Sequence, residues 1–139
     1  MQIVDAQSRG FDLEDIRARL GDDWPAVNRE IQLQLRSDVA LVSSVAHYII
    51  GGGGKRLRPL LVLLSARACG YQGDKHVKAA AIIEFIHTAT LLHDDVVDDS
   101  DLRRGQDTAN SVFGNEASVL VGDFLYSRSF QMMVEVGQM

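Results

Sequence analysis

Between His93 and Gly105 the chain reads HDDVVDDSDLRRG, five aspartates followed by two arginines. Carboxylates this dense repel one another, and a fold tolerates them only where water, cations or basic groups compensate. Aspartate oxygens are hard ligands suited to Mg²⁺, which keeps several waters and takes one or two carboxylates together with substrate phosphates. Arg103 and Arg104 close the run with guanidinium forks that match phosphate geometry. The chemistry these residue types support is metal-assisted binding of a diphosphate.

On a helix at about 100° per residue, with Asp94 as reference, Asp98 falls at about 40°, Asp101 at about −20°, His87 at about 20° and Thr90 at about −40°. These residues then share one face. Asp95 and Asp99 rotate to about 100° and about 140°, which makes them outer-sphere or solvent-facing groups. A run of acids at a helix end is ordinarily a solvated face. Here it directly follows an apolar stretch, HVKAAAIIEFIHTATLL, and ends in two arginines, and both features favour the metal reading.

A second stretch could meet the same anion. In GGGGKRLRP, residues 51–59, four glycines stop the preceding helix and let the backbone approach a ligand, and Lys55, Arg56 and Arg58 charge the start of the next helix. The Walker spacing is absent, so this is no P-loop. Taken alone, the stretch reads equally as a flexible linker with a solvated basic cap. Pro59 disfavours a helical conformation at Arg58, leaving the helix start open by a turn. His87 and Glu84 are polar groups in an apolar stretch, and a lone histidine there more often serves packing than chemistry. His87 nevertheless lies one face-repeat before Asp94, where it could donate to a phosphate oxygen.

The elements that must position these residues are helical. Asp12 caps a short helix through Leu20 that Gly21 ends, and Asp22 or Asp23 with Trp24-Pro25 opens a long helix through about Ile50. Val27, Ile31, Leu35, Val39, Val42, Val45 and Ile49 form its packed stripe, with Arg29, Gln32 and Arg36 facing out. YQGDK is a turn, with Asp74 as the N-cap of the aspartate-bearing helix. QDTANSVFGN reads as a polar loop, and an apolar helix resumes after it in which Asp123 and Tyr126 carry no motif. Residues 1–10 lack periodicity and read as a flexible tail.

With 139 residues and 46% hydrophobic content, the chain suits one all-helical domain with a real core. A net charge of −5 argues against a general nucleic-acid binder. Cys69, the single cysteine, reads as a small core residue in a reduced compartment. There is no basic, apolar leader pattern at the N-terminus and no run of 18 uncharged apolar residues. The expected location is cytoplasmic.

GGGGKRLRP, EFIHTATLLHDDVVDDSDLRRG and SVLVGDFLYSRSF together resemble the trans-polyprenyl diphosphate synthase family, its bacterial octaprenyl-forming members above all, from about Val27 onward. The resemblance implies the N-terminal part of the all-α isoprenoid synthase bundle, usually a homodimer. It also implies condensation of isopentenyl diphosphate onto an allylic diphosphate, farnesyl diphosphate in the first instance, to build a long all-trans chain for quinones. Lys55, Arg58, His87 and Arg104 then match the residues that hold isopentenyl diphosphate. Asp94 and Asp98 match the Mg²⁺ ligands, and Arg103 matches the contact to the allylic diphosphate. Short-chain relatives carry bulky aromatics where this chain has Ala89 and Thr90, which implies an open floor and a long product.

The family's second aspartate-rich motif has no counterpart after Gly105. The expectation is therefore the N-terminal half of such an enzyme, or a truncated product, inactive alone. Two other readings remain: a non-catalytic regulatory subunit of a heteromeric synthase, and a His-Asp metal phosphohydrolase built on His93-Asp94.

Overall fold

The structure, a computed structural model, describes residues 12–52 and 54–137; the tail expected over residues 1–10 lies outside them. Helix α1 (Leu13–Arg19) opens on the Asp12 carboxylate, which accepts the Glu14 N–H at 3.0 Å, and the chain turns at Gly21 with φ 58°. The expected long helix is two helices, α2 (Asp23–Gln34) and α3 (Ala40–Ile50). Ser37 causes the break by offering the backbone other partners: its hydroxyl accepts the Val39 N–H at 3.1 Å, and its carbonyl accepts the Ser43 hydroxyl at 3.2 Å. Val27, Ile31, Leu35, Val42 and Val45 are buried as the stripe requires, but Val39 sits at the break and is 54% exposed.

Helix α4 (Leu57–Ala68) begins before Pro59, whose missing N–H falls in the first turn where no ladder partner is needed, so Arg58 is helical after all. Cys69 follows its last turn and is exposed, which corrects the core assignment. Helix α5 (Lys75–Val97) starts beside Asp74 as expected. The cap bond there comes from elsewhere: the Tyr71 hydroxyl accepts the Lys75 N–H at 3.3 Å, and the Asp74 side chain makes none.

The stretch read as a polar loop is ordered. Strands β1 (Leu102–Arg103) and β2 (Gln106–Asp107) pair antiparallel, Arg103 opposite Gln106. Arg104 and Gly105 turn between them with φ 51° and 77°, the positive pair that a two-residue hairpin of right-handed twist requires. Thr108 then caps α6 (Ala109–Phe113) by accepting the Ser111 N–H, and α7 (Asn115–Val136) follows. The architecture is all-α apart from this ribbon.

Helix α5 is the axis of the packing, set against α7, α4 and α2. Phe85 and Leu92 of α5 are buried with Val121, Leu125 and Met132 of α7, and Ala80, Ala81 and Ala89 add small buried side chains to α5. One contact fixes the register of α5 on α7. The His93 ring lies over Gly122, where an added Cβ would meet Nε2 at 2.3 Å, and that nitrogen stands 3.2 Å from the Val119 carbonyl and 3.3 Å from an Asp123 carboxylate oxygen.

Gly122→Ala should therefore destabilise the chain by about 1–3 kcal/mol through overpacking. In a His93→Ala background the same substitution should be near neutral. Denaturant unfolding of the four variants in a double-mutant cycle measures the coupling, and additive effects would show that the ring and Gly122 do not oppose each other.

Candidate functional site

A cavity of ≈ 400 Å³ opens between α5, the segment after α3 and the ribbon. Helix α5 contributes Glu84, His87, Thr88, Leu91 and Asp95, a face that repeats every three or four residues. Lys55, Arg56 and Arg58 enter from the segment before and at the start of α4, and Arg103 and Arg104 from the ribbon. Five cations thus face three carboxylates, Glu84, Asp95 and Asp107, within a net-negative chain. Such a basin of positive charge is built for an anion.

The glycines before Lys55 admit side chains. A Cβ on Gly54 would meet an Arg104 guanidinium nitrogen at 2.8 Å, and one on Gly52 would meet the Gln106 amide oxygen at 2.8 Å. The glycines let the ribbon's arms come in against the backbone. The Tyr48 hydroxyl donates to the Asp107 carbonyl at 2.7 Å, tying α3 to β2.

His87 and Arg58 meet across the cavity, Nε2 to Nη1 at 3.2 Å. A guanidinium only donates, so Nε2 is the accepting nitrogen and Nδ1 carries the proton. Burial, then Arg58, Arg104 and Arg103, push the His87 imidazole below its ordinary range and keep it neutral. Burial pushes the Glu84 carboxyl up against the opposing pull of Arg56, Arg58 and Arg104.

The aspartates separate into two sets. Asp95 is 2% exposed and accepts both Arg103 Nε at 3.0 Å and Arg103 Nη2 at 2.6 Å, so the solvent-facing reading of this residue is wrong: the ribbon covers it. The same fork, then burial against it and the carboxylates of Asp95, Asp94 and Asp98, hold the Arg103 guanidinium above its ordinary range. Asp94 and Asp98 are exposed on one side of the helix end, and neither is in an ion pair among the described residues. Asp101 does not join them. Helix α5 stops at Val97, Asp99 is left-handed with φ 51°, and the Asp101 carboxylate receives the Ser111 hydroxyl at 3.4 Å. Asp99 is exposed, as expected.

Asp94 and Asp98 fit a hard divalent cation in a particular way. Among the described residues no group of three or more His, Cys, Asp or Glu could enclose a metal. An open pair of carboxylates suits Mg²⁺ that takes its remaining ligands from water and phosphate. His93 is turned to α7, away from any cluster of histidines among the described residues, which leaves the phosphohydrolase reading without its ligands.

Lys55, Arg58, His87, Arg103 and Arg104 are thus brought into one cavity, with Asp94 and Asp98 outside its lining. Ala89 is buried in the core and Thr90 is exposed, its hydroxyl donating to the His87 carbonyl at 2.7 Å; neither lines this cavity. Sequence reasoning gives no role to Glu84, Gln106 or Tyr48, and none to Asp95 as the anchor of Arg103. Glu84 was detectable, since it lies three residues before His87 on the same helix face.

A model of the polyprenyl synthetase family matches residues 39–139. The chain belongs to this family. Among polyprenyl synthetases, the octaprenyl diphosphate synthase of Escherichia coli (strain K12) is 59% identical over 129 residues, 93% of this chain and 40% of that protein. The octaprenyl diphosphate synthase of Haemophilus influenzae is 52% identical over 124 residues, 89% of this chain and 38% of that one. A crystal structure of a decaprenyl diphosphate synthase from Rhodobacter capsulatus superposes with a TM-score of 0.88 at 50% identity, covering 92% of this chain and 40% of that one. A polyprenyl synthase from Caulobacter crescentus CB15, complexed with calcium and isoprenyl diphosphate, gives 0.87 at 48% identity over 92% of this chain and 39% of its own. The chain spans about 40% of the length of the curated relatives it matches. Among the described residues no helix is long and apolar enough to cross a membrane.

The Arg103–Asp95 pair is asymmetric, since Arg103 reaches water and Asp95 does not. Arg103→Met should leave a buried, unpaired carboxylate and cost about 3–5 kcal/mol. Asp95→Asn should cost less, because the freed guanidinium can swing into solvent. Equal losses in denaturant unfolding would show that the pair is as wet as it is charged.

The depressed His87 sets a pH dependence. Its folded-state pKa lies below the 6.5 of the free side chain, so below that pH the unfolded chain binds more protons and folding stability falls as the pH falls. Stability should drop between about pH 7.5 and about pH 5.5 in the wild type and drop less in His87→Gln. Parallel curves from thermal melts would remove His87 as the cause.

Proposed function

We propose that this chain supplies the first-motif half of a Mg²⁺-dependent trans-prenyltransferase. That enzyme condenses isopentenyl diphosphate onto an allylic diphosphate, farnesyl diphosphate as primer, to make octaprenyl diphosphate for quinone side chains. The observation that carries this reading is the cavity that gathers Lys55, Arg58, His87, Arg103 and Arg104 beside the open carboxylates of Asp94 and Asp98. Relatives named as octaprenyl diphosphate synthases, and a related structure holding calcium and isoprenyl diphosphate, support both the substrate class and a hard cation.

Lys55, Arg58, Arg104 and the Nδ1–H of neutral His87 hold the diphosphate of isopentenyl diphosphate and aim its double bond. Arg103 keeps its Nη1 donors for the allylic diphosphate, because Asp95 takes only Nε and Nη2. Mg²⁺, held by Asp94 and Asp98 with the allylic diphosphate, supplies Lewis-acid charge to the leaving group when bound. The allylic C–O bond breaks with its electron pair leaving on the diphosphate, the isopentenyl double bond attacks the allylic carbon to form the new C–C bond, and the proton lost from the adjacent carbon passes to the released diphosphate. The small side chains at Ala89 and Thr90 leave room for a long tail. A second copy covers the exposed α7 side chains Val119, Tyr126, Phe130 and Val134.

One carboxylate wall cannot hold a full metal set, so the 139-residue chain alone should transfer no label from isopentenyl diphosphate to farnesyl diphosphate. A chimera in which it replaces the aligned part of the Escherichia coli octaprenyl diphosphate synthase should make octaprenyl diphosphate with Mg²⁺. Asp94→Asn or Asp98→Asn should lower its turnover by orders of magnitude, and Ala89→Phe or Thr90→Phe should shorten the product. A folded chimera with no product, or one indifferent to both aspartates, would refute the reading. Unchanged product length would remove the two small residues from the floor.

A further inference from the structure

We infer that Arg17 and Asn28 are positioning residues for the anion cavity, clamping the backbone around Arg56 from α1 and α2. Both lie outside residues 39–139, the part that matches the family model. Arg56, between the two lining cations, has φ 51° and ψ 46°. A residue with a Cβ takes this left-handed conformation only where its surroundings impose it.

Two long-range bonds impose it here. Arg17 Nη2 donates to the Lys55 carbonyl at 2.6 Å, fixing the peptide that enters Arg56. The Arg56 guanidinium itself donates to the Asn28 side-chain oxygen, fixing the side chain that leaves it. Arg17 is in turn immobile: it pairs with Glu14, stacks over the Trp24 ring at 5.0 Å, and has its Nε buried. On the far side, the Arg56 carbonyl accepts the Leu60 N–H at 3.3 Å, an opening bond of α4. The clamp thus spans the point where a loop becomes a helix, and Lys55 and Arg58, which line the cavity, stand on either side of it. If Arg56 relaxed to an ordinary conformation, Lys55 would swing relative to α4 and the two cations would no longer converge.

The inference rests on the reading that the cavity takes a diphosphate, and calorimetric titration of the 139-residue chain with isopentenyl diphosphate, without metal, tests both separately. The wild type should bind and Arg58→Ala should not. Arg17→Met, which keeps the stem over Trp24, and Asn28→Ala should each weaken binding by about tenfold while far-ultraviolet circular dichroism stays unchanged. Asn28→Asp, which keeps the accepting oxygen, should bind as the wild type does. Should Arg17→Met not fold, Arg17→Lys keeps the charge without the fork and is expected to show the same weakening. Wild-type affinity in Arg17→Met and Asn28→Ala, beside a failing Arg58→Ala, would overturn the clamp and leave the functional reading standing. Equal weakening by Asn28→Asp and Asn28→Ala would show that the accepting oxygen is not what holds Arg56 and would also overturn it. A wild type that does not bind would overturn both.

Discussion

Five cationic side chains around one cavity repel each other, and the site depends on how that repulsion is held in check. The largest restraint is the buried fork between Asp95 and Arg103, in which a carboxylate shut off from water fixes a guanidinium that still reaches it. Such a pair adds little net stability, because desolvation consumes most of its attraction. Its value is geometric. Arg103 cannot wander, and the ribbon that carries it is fastened to α5 at the same time. Neutral His87, accepting from Arg58, does the same for a second cation without adding a sixth charge.

Helix α5 serves two chemistries by rotation. Glu84, His87, Thr88, Leu91 and Asp95 look into the cavity, whereas Asp94 and Asp98 stand outside its lining at the exposed end. Adjacent aspartates therefore meet different surroundings: buried Asp95 is neutralised by a half-exposed arginine, and Asp94 is left open to water. Helical geometry forces this division, since neighbours in sequence lie about 100° apart around the axis.

How far the sequence could be read follows from the same geometry. The helix wheel put Asp94, Asp98 and His87 on adjoining positions because α5 is regular through all but the last of them, Asp98 being its C-cap. It failed at Asp101 because a left-handed Asp99 ends the periodicity, and no wheel carries information past such a residue. Burial of Asp95 was invisible for another reason. The covering element is a ribbon with strands of two residues, too short for any alternation to register, turned by Arg104-Gly105 in place of a familiar Asn-Gly pair. The break between α2 and α3 was likewise hidden: the apolar spacing runs on through Val39, and only the Ser37 side chain's competition for backbone partners ends the helix.

The glycine run is the place where chemistry and architecture were hardest to separate by sequence. Glycines beside basic residues suggest a backbone wrapped around phosphate, yet at Gly52 and Gly54 the space a Cβ would fill is taken by Gln106 and Arg104, 54 and 50 residues away in the chain. The segment is shaped from both sides, by the ribbon against its glycines and by α1 and α2 against Lys55 and Arg56. No local stretch could hold these arms alone, because Arg56, Arg58 and Arg103 are each anchored through a partner on a different element. The cavity therefore exists only once the helical core has brought those elements together, which places the cost of assembling like charges on folding and leaves an incoming anion to meet charges already in place.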